Sequence, residues 1–224
     1  MFVALAPTIS CQKSSHPVTP ASINVVNALS GSDQIIPIFG TNESIRNFAN
    51  AQTISIGSSM LYTLLSGPID LYVIQSTDTA LFDKSKLFTG KFNLINGGIY
   101  SLFLAGDTTN PDTLFIQDNI PTYTDSLAGL RFVNLSSPSH HFTINIQGHD
   151  QVNQLEITDL SYKSITPFKQ YLTNSSIPGN YVFEIHDQAT GDLLTNFTWN
   201  YTLFKNSTLI IVGPSTQVYQ IDNF

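Results

Sequence analysis

The sequence has little charge and a single cysteine. Charged residues make up 11% of its 224 residues, against roughly 25% in an average soluble protein. The nine Lys and Arg residues are scattered and the formal net charge is −7. A nucleic-acid-binding protein needs clustered Lys and Arg to displace counterions, so this composition argues against nucleic acid as a partner. With Cys11 alone, no intrachain disulfide can form, and stability must come from core packing and sheet hydrogen bonds.

Long apolar runs are also missing, because no stretch approaches the roughly 20 residues of a membrane-spanning helix. A short apolar stretch at the start of the chain instead leads into Ile9, Ser10 and Cys11. This pattern is typical of the end of a bacterial lipoprotein signal, in which the thiol is acylated and the preceding peptide is removed. Residues 12–20 are polar and rich in Pro and Ser, as in a flexible tether.

We therefore predict that residues 1–20 comprise a signal remnant, a lipidated Cys11 and a tether. Such an anchor would hold the protein to a membrane of the cell envelope, for example the outer membrane, on its periplasmic face or at the cell surface. Thr8 departs from the pattern, which prefers Leu there, and no basic residue precedes the apolar stretch. An incidental cysteine near the terminus is the alternative.

An internal repeat is the main feature of the remaining chain. Residues 21–32 align with residues 128–139 at a constant offset of 107 positions. Three more pairs of similar segments follow in the same order; they are 67–82 with 178–194, 100–107 with 208–214, and 114–120 with 218–224. We predict one domain over residues 21–125 and a second over residues 126–224, related by duplication and joined by a hinge near residues 122–126.

The local signals within each half are those of β-structure. Short segments of alternating or β-branched apolar residues are separated by Gly, Asn and Asp turns. Strand candidates in the first half are 22–27, 34–39, 53–56, 69–75, 87–94 and 100–105. Asn96-Gly97 predicts a type I′ hairpin. The spacing predicts an all-β protein of two tandem β-sandwich domains, either immunoglobulin-like or transthyretin-like.

Two groups of side chains have the chemistry of metal ligands. His140 and His141 are neighbours and His149 follows nearby, but adjacent residues of a strand point to opposite faces. Residues 107–112 include two Asp and one Asn, whose oxygens suit calcium. Asx residues also form turns by bonding to their own backbone, and no bidentate Glu follows. We favour solvated histidines and an Asx turn, and we predict neither a metal nor another cofactor.

Catalytic motifs are not recognisable in the sequence. There is no Gly-x-Ser-x-Gly elbow, and Cys11 lies outside the predicted domains. The paired carboxylates at Glu156 and Asp159 are more simply a polar strand face. We therefore predict no catalytic residues and no enzymatic activity.

Aromatic residues offer weak candidates for a ligand site. Trp199 and Tyr201 would share one strand face, where they could stack on a sugar. A core position for Trp199 is the favoured interpretation. The binding residues therefore stay unassigned, with Trp199 and Tyr201 as the weak candidates.

Several segments together resemble a known bacterial family. They are residues 22–29, 100–107, 114–121, 129–136, 162–171 and 178–185. These segments resemble the family catalogued as domain of unknown function 4397, whose members are typically exported lipoproteins or cell-surface proteins, many from Bacteroidota. The resemblance covers nearly the whole chain after residue 20. It implies a β-sandwich at the cell surface and supplies no catalytic residues.

Taken together, these features favour a non-enzymatic cell-surface lipoprotein that acts in adhesion, scaffolding or assembly. Its partners would be a membrane, through the lipid anchor, and a protein or glycan. A carbohydrate-binding accessory protein at the cell surface is the alternative.

Overall fold

The structure, a computed structural model, describes residues 19–40, 51–77, 86–148, 155–173 and 180–223. Within these ranges all sixteen regular elements are β-strands, which confirms the predicted all-β class. No helix in the described ranges has the length and apolar character needed to cross a membrane.

The first half contains eight strands. They are β1 (Ala21–Asn27), β2 (Gln34–Phe39), β3 (Ile54–Ser55), β4 (Ser59–Leu64), β5 (Gly67–Gln75), β6 (Lys86–Leu94), β7 (Ile99–Gly106) and β8 (Pro111–Gln117). They form two four-stranded sheets with the orders β4-β1-β7-β8 and β3-β2-β5-β6. The strand β1 runs parallel to β7, and every other pairing in this half is antiparallel.

The second half repeats this arrangement. Its strands are β9 (Leu127–Leu135), β10 (Phe142–Ile146), β11 (Leu155–Leu160), β12 (Lys169–Leu172), β13 (Tyr181–Asp187), β14 (Leu193–Trp199), β15 (Asn206–Val212) and β16 (Gln217–Asn223). The sheet orders are β12-β9-β15-β16 and β11-β10-β13-β14, and β9 runs parallel to β15. Each half is thus the same sandwich, as the sequence repeat predicts.

The strand order distinguishes between the two sandwich types that the sequence left open. In an immunoglobulin fold, strands A, B, E and D share a sheet, whereas here the first strand pairs with the fourth and the seventh. The transthyretin-like alternative therefore describes the halves better. The hairpin predicted at Asn96-Gly97 is wrong, because β6 pairs with β5 while β7 pairs with β1 and β8. Gly97 has the expected positive φ of 68°, but the turn connects two sheets.

Each sandwich has its own apolar core, and a third core lies between the two halves. The buried residues of this third core are Val26, Ala28, Phe103, Ala105, Val133, Leu135, Ile210, Val212 and Ile221. Most come from β1, β7, β9 and β15, so these central strands are covered on both faces. All seven residues of β15 are buried, and its second part, residues 209–212, is the continuous apolar run expected for such a strand. The four sheets are therefore stacked in one body.

The two halves lie side by side with corresponding strand ends together. Near the starts of β7 and β9, Asp118 contacts Arg131. At the opposite ends of the strands, a Cβ added to Gly213 would lie 3.1 Å from Ser30 Oγ. We call the end that holds the starts of β1, β7, β9 and β15 the proximal pole, because the chain enters there. The other end is the distal pole.

Candidate functional site

A buried ion pair joins the two halves across their interface. Arg131 Nη1 donates to Asp118 Oδ1 at 2.6 Å, and the two side chains are 5% and 1% exposed. The guanidinium also donates to Ser101 Oγ at 3.3 Å and, through Nε, to Thr208 Oγ1 at 2.8 Å. Burial lowers the pKa of Arg131, and the Asp118 charge opposes that shift. Each partner compensates the other's desolvation, so the pair requires the two halves to keep this register.

The ion pair is also where the two copies of the repeat differ. Asn24 stands 107 positions before Arg131, at the same place in its half. Strand pairing places Asn223 at the position equivalent to Asp118, one residue away from Asp222, which the sequence repeat of 114–120 with 218–224 aligns with Asp118. The interface between the two copies thus holds the Arg131–Asp118 pair on one side and the neutral amides of Asn24 and Asn223 at the equivalent positions.

A second type of contact occurs twice in the interface, once from each half. The turn between β3 and β4 approaches β16, and a Cβ on Gly57 would lie 2.1 Å from the Tyr219 ring. The matching turn between β11 and β12 approaches β8, where Lys163 Nζ donates to Asp112 Oδ1 at 2.8 Å. Both turns use a left-handed residue, with φ of 72° at Gly57 and 60° at Lys163. A lysine held in that conformation is strained, and strain of this kind concentrates at functional sites.

A groove opens between the halves at the distal pole. Its volume is about 590 Å³, within the range of roughly 300–1,000 Å³ typical of ligand sites. The first half contributes the turns between β1 and β2 and between β7 and β8, and the second half contributes three turns. We call this the distal groove; its lining residues are Ser30, Gly106, Asp107, Asn110, Pro111, Asp112, Ser136, Ser137, Pro138, Tyr162 and Pro214.

Two carboxylates in the distal groove are held by neighbouring groups. Asp107 Oδ1 accepts hydrogen bonds from the Thr109 hydroxyl and from the amides of Thr109 and Asn110, and these bonds lower its pKa. Burial acts to raise the pKa of Asp112, but Lys163 and other donors lower it overall. The Asx turn predicted within residues 107–112 is thereby confirmed at Asp107.

Tyr162 provides the aromatic surface of the groove. Its hydroxyl donates to Asp112 Oδ2 at 3.3 Å. Burial, followed by the neighbouring Asp112 charge, raises the pKa of Tyr162 to about 12. At neutral pH the groove therefore contains a neutral phenol, two carboxylates and three proline rings, which suit hydrogen bonding and apolar contact with a polar ligand.

Trp199, one of the two candidates for a stacking platform, is fully buried. It packs in the core of the second half against Tyr171, Tyr181 and Tyr201, with ring centroids 5.3, 5.9 and 5.8 Å away. A sugar cannot stack on it without opening this core. The core interpretation of Trp199 therefore replaces the stacking interpretation, and Tyr201 is a half-buried ring at the edge of the same cluster.

The remaining sequence candidates are not brought together. His141 Nδ1 lies 2.9 Å from Asp159 Oδ1, whereas the His140 ring packs beside Phe142. Across the described ranges, no three His, Cys, Asp or Glu side chains are grouped so that they could hold a metal ion. Cys11 and His149 fall outside the described residues.

The sequence did not predict the distal groove or the buried ion pair, because both depend on how the halves pack. One signal was present in the repeat: a lone Arg131 in the first strand of the second half, where the first half has Asn24. An unmatched charge in an otherwise apolar strand indicates a buried partner.

No family model and no curated protein matches the chain. Among solved structures, it is similar to a carbohydrate-binding module of family CBM26 from Eubacterium rectale in complex with maltoheptaose (10% identity, 90% of this chain and 96% of that chain, TM-score 0.29). It is also similar to an alpha-glucan-binding streptococcal virulence factor (9% identity, 89% of this chain and 96% of that chain, TM-score 0.28). A third similar structure is a tip fimbrial protein from Porphyromonas gingivalis (8% identity, 92% of this chain and 99% of that chain, TM-score 0.27). With TM-scores of 0.27 to 0.29, these similarities do not bear on function.

Proposed function

We propose that this protein is a non-enzymatic adhesion or scaffold module of the cell surface, anchored by lipid at Cys11 and binding a partner in the distal groove. One observation carries the proposal. Two sandwiches are locked into a single body, and both contribute to an open groove at the pole opposite the one where the chain from Cys11 enters. A binding surface on a rigid support, turned away from its attachment point, suits adhesion or assembly.

The chemistry of the groove supports binding over catalysis. The Asp107 and Asp112 carboxylates already accept hydrogen bonds from neighbouring protein groups, and Tyr162 is a neutral phenol. A nucleophile paired with a base is absent from the described lining of the groove. The two carboxylates can still accept hydrogen bonds from a hydroxyl-rich or peptide ligand. The aromatic ring of Tyr162, held in place, can pack against such a ligand.

Site-specific photocrosslinking in cells tests the groove as the partner site. A photoreactive residue at Ser137, which lines the groove, should yield a discrete covalent adduct. The same residue at Thr198, which is exposed on β14 in the second half, serves as the control. An equal pattern at both positions, or no adduct at Ser137, would disprove the groove as the binding site.

A glycan is the second candidate ligand, favoured by Tyr162 lying in the groove beside the Asp107 turn and Asp112. On a glycan array, the wild-type chain should bind a defined set of sugars and Tyr162→Ala should lose them. Tyr72→Ala removes a half-buried tyrosine of the outer sheet in the first half and should bind like wild type. No binding by the wild-type chain, or equal loss in both variants, refutes the glycan alternative.

The lipid anchor requires its own test. Radiolabelled palmitate should be incorporated into the wild-type chain in the native host and should be lost in Cys11→Ser. Incorporation that persists in Cys11→Ser, or its absence in the wild type, contradicts anchoring at this cysteine.

A further inference from the structure

Exposed apolar side chains are concentrated at the proximal pole. Of the nine large hydrophobic residues exposed in the described ranges, six lie there. They are Leu65 (74% exposed), Ile95 (50%), Ile99 (38%), Leu172 (55%), Leu203 (45%) and Phe204 (47%). Scattered exposed hydrophobic residues are normal, but their concentration at one end of a molecule marks an interaction surface.

The two halves contribute to this pole in equivalent ways. In the first half, Ile95 lies in the turn between β6 and β7, and Ser66 Oγ, beside Leu65, donates to Asn96 Oδ1 at 2.7 Å. In the second half, Phe204 lies in the corresponding turn between β14 and β15. Phe204, Leu172 and Leu127 line a shallow cavity of about 550 Å³. The duplication thus produces two apolar patches facing the same way.

The chain that leads from Cys11 arrives at this same pole. Thr19 Cγ2 lies 3.8 Å from the position of a Cβ on Gly97, in the turn between β6 and β7. Eight positions separate Cys11 from Thr19. An extended chain advances at most about 3.5 Å per residue, so the pole lies within about 28 Å of an acyl chain on Cys11.

Among the described residues, the turns of the proximal pole carry little charge, and one exposed carboxylate near this pole, Asp222, lies on β16 opposite Ser207. The described turns of the proximal pole, at residues 65–66, 95–98, 122–126 and 200–205, carry one acidic residue, Asp125, and one basic residue, Lys205. The distal pole holds several carboxylates: Asp33, Asp107, Asp112, Asp187 and Asp192. An anionic membrane surface repels such carboxylates within a Debye length.

We infer that the proximal pole rests on the lipid bilayer, with Leu65, Phe204 and their neighbours inserted into the headgroup region. This inference rests on the proposed lipid anchor at Cys11. Two patches, one per half, fix the tilt of the body as a single contact could not. The distal groove then points away from the membrane, and the acidic pole is kept at a distance from anionic lipid.

Tryptophan quenching on vesicles tests this orientation. The full chain is coupled through Cys11, its only thiol, to a maleimide lipid in vesicles of phosphatidylethanolamine, phosphatidylglycerol and brominated phosphatidylcholine. A reporter at Phe204→Trp marks the proximal pole and one at Ser139→Trp marks the distal pole, with the unaltered chain giving the Trp199 background. We expect the Phe204→Trp reporter emission to fall at least about twofold and the Ser139→Trp emission to stay unchanged.

Matched serine variants test whether the apolar residues cause the contact. Leu65→Ser combined with Leu172→Ser should abolish quenching of the Phe204→Trp reporter. Leu193→Ser combined with Leu194→Ser removes two similarly exposed residues of β14, 51% and 42% exposed, and should leave the quenching intact. Circular dichroism of each variant verifies that the fold is retained.

The docking and the anchor can fail separately. The vesicle experiment attaches the chain chemically, so its result does not depend on acylation in cells. Equal quenching at both poles, or none at Phe204→Trp, overturns the docking inference. Concentration-dependent dimerisation in solution that is lost in the Leu65/Leu172 serine variant, without quenching on vesicles, would assign the pole to a second copy and also overturns it. Absence of palmitate labelling of the wild-type chain in cells, or labelling that persists in Cys11→Ser, overturns the anchor alone.

Discussion

Replacement of Arg131 by Met would leave the Asp118 carboxylate charged and 1% exposed in the interface between the halves. The carboxylate would lose its ionic partner at 2.6 Å and keep the Ser101 hydroxyl, which donates to Oδ2 at 2.6 Å. Removing one member of a buried ion pair costs about 3–5 kcal/mol. Replacing both members, as Arg131→Met with Asp118→Leu, removes the stranded charge, so we expect most of that loss to be recovered.

Urea denaturation measures these changes with two signals. The single Trp199 lies in the core of the second half, so its fluorescence reports that half, whereas far-UV circular dichroism reports both. For the wild type the two transitions should coincide, because a shared core links the halves. With a slope of about 2–3 kcal/mol per molar urea, Arg131→Met should lower the midpoint by about 1–2 M. A loss of unfolding free energy under about 1 kcal/mol in Arg131→Met would refute the buried-pair reasoning. So would a double variant that is no more stable than Arg131→Met.

Three further substitutions probe individual contacts. Gly57→Ala combines a left-handed φ of 72° with overlap on the Tyr219 ring, whereas Gly191→Ala, the control, has a φ of 76° and open space around the new Cβ. In thermal denaturation Gly57→Ala should lose clearly more stability than the about 1–2 kcal/mol that backbone strain alone costs. Burial and the neighbouring Glu156 charge raise the pKa of Tyr171. Because the phenol then ionises more readily in the unfolded chain, wild-type stability should fall above pH about 10. Urea midpoints at pH 8 and 10.5 should show a smaller fall for Tyr171→Phe. Lys163→Met should lower the unfolding free energy by under about 1 kcal/mol at pH 7. Because the pKa of Asp112 is lowered in the fold, this difference should vanish as the pH falls below about 4 and Asp112 is protonated. An equal difference at pH 3 would contradict the ion pair.

The sequence predicted strands best where both faces or one clear face are buried. The candidates at residues 22–27, 34–39 and 100–105 closely match β1, β2 and β7. It missed β4, whose residues are exposed or half-buried and which pairs only at one edge of its sheet. An edge strand has a weak alternation signal because neither face is fully covered. The turn at Asn96-Gly97 was correctly placed, but local chemistry does not choose which strands pair across it.

The candidate sites show the same division. The Asx turn at Asp107 is local, so residue types alone were sufficient to predict it. The role of Trp199 depended on its neighbours, and only the packing of Tyr171 and Tyr181 against it separated a core ring from a stacking surface. The distal groove combines turns from both halves, separated by roughly a hundred residues in sequence, so no motif could reveal it.

The sequence by itself determined the all-β class and the repeated sandwich, because alternation and turn residues act over a few positions and the duplication repeats them. Its scarcity of Lys and Arg likewise argues against a nucleic-acid partner from composition alone. Only the tertiary structure decided that the halves share a core, that Arg131 meets Asp118 within it, and that a groove and an apolar surface occupy opposite poles. Those features arise from contacts between residues far apart in the chain, whose geometry is set by packing and not by local propensity.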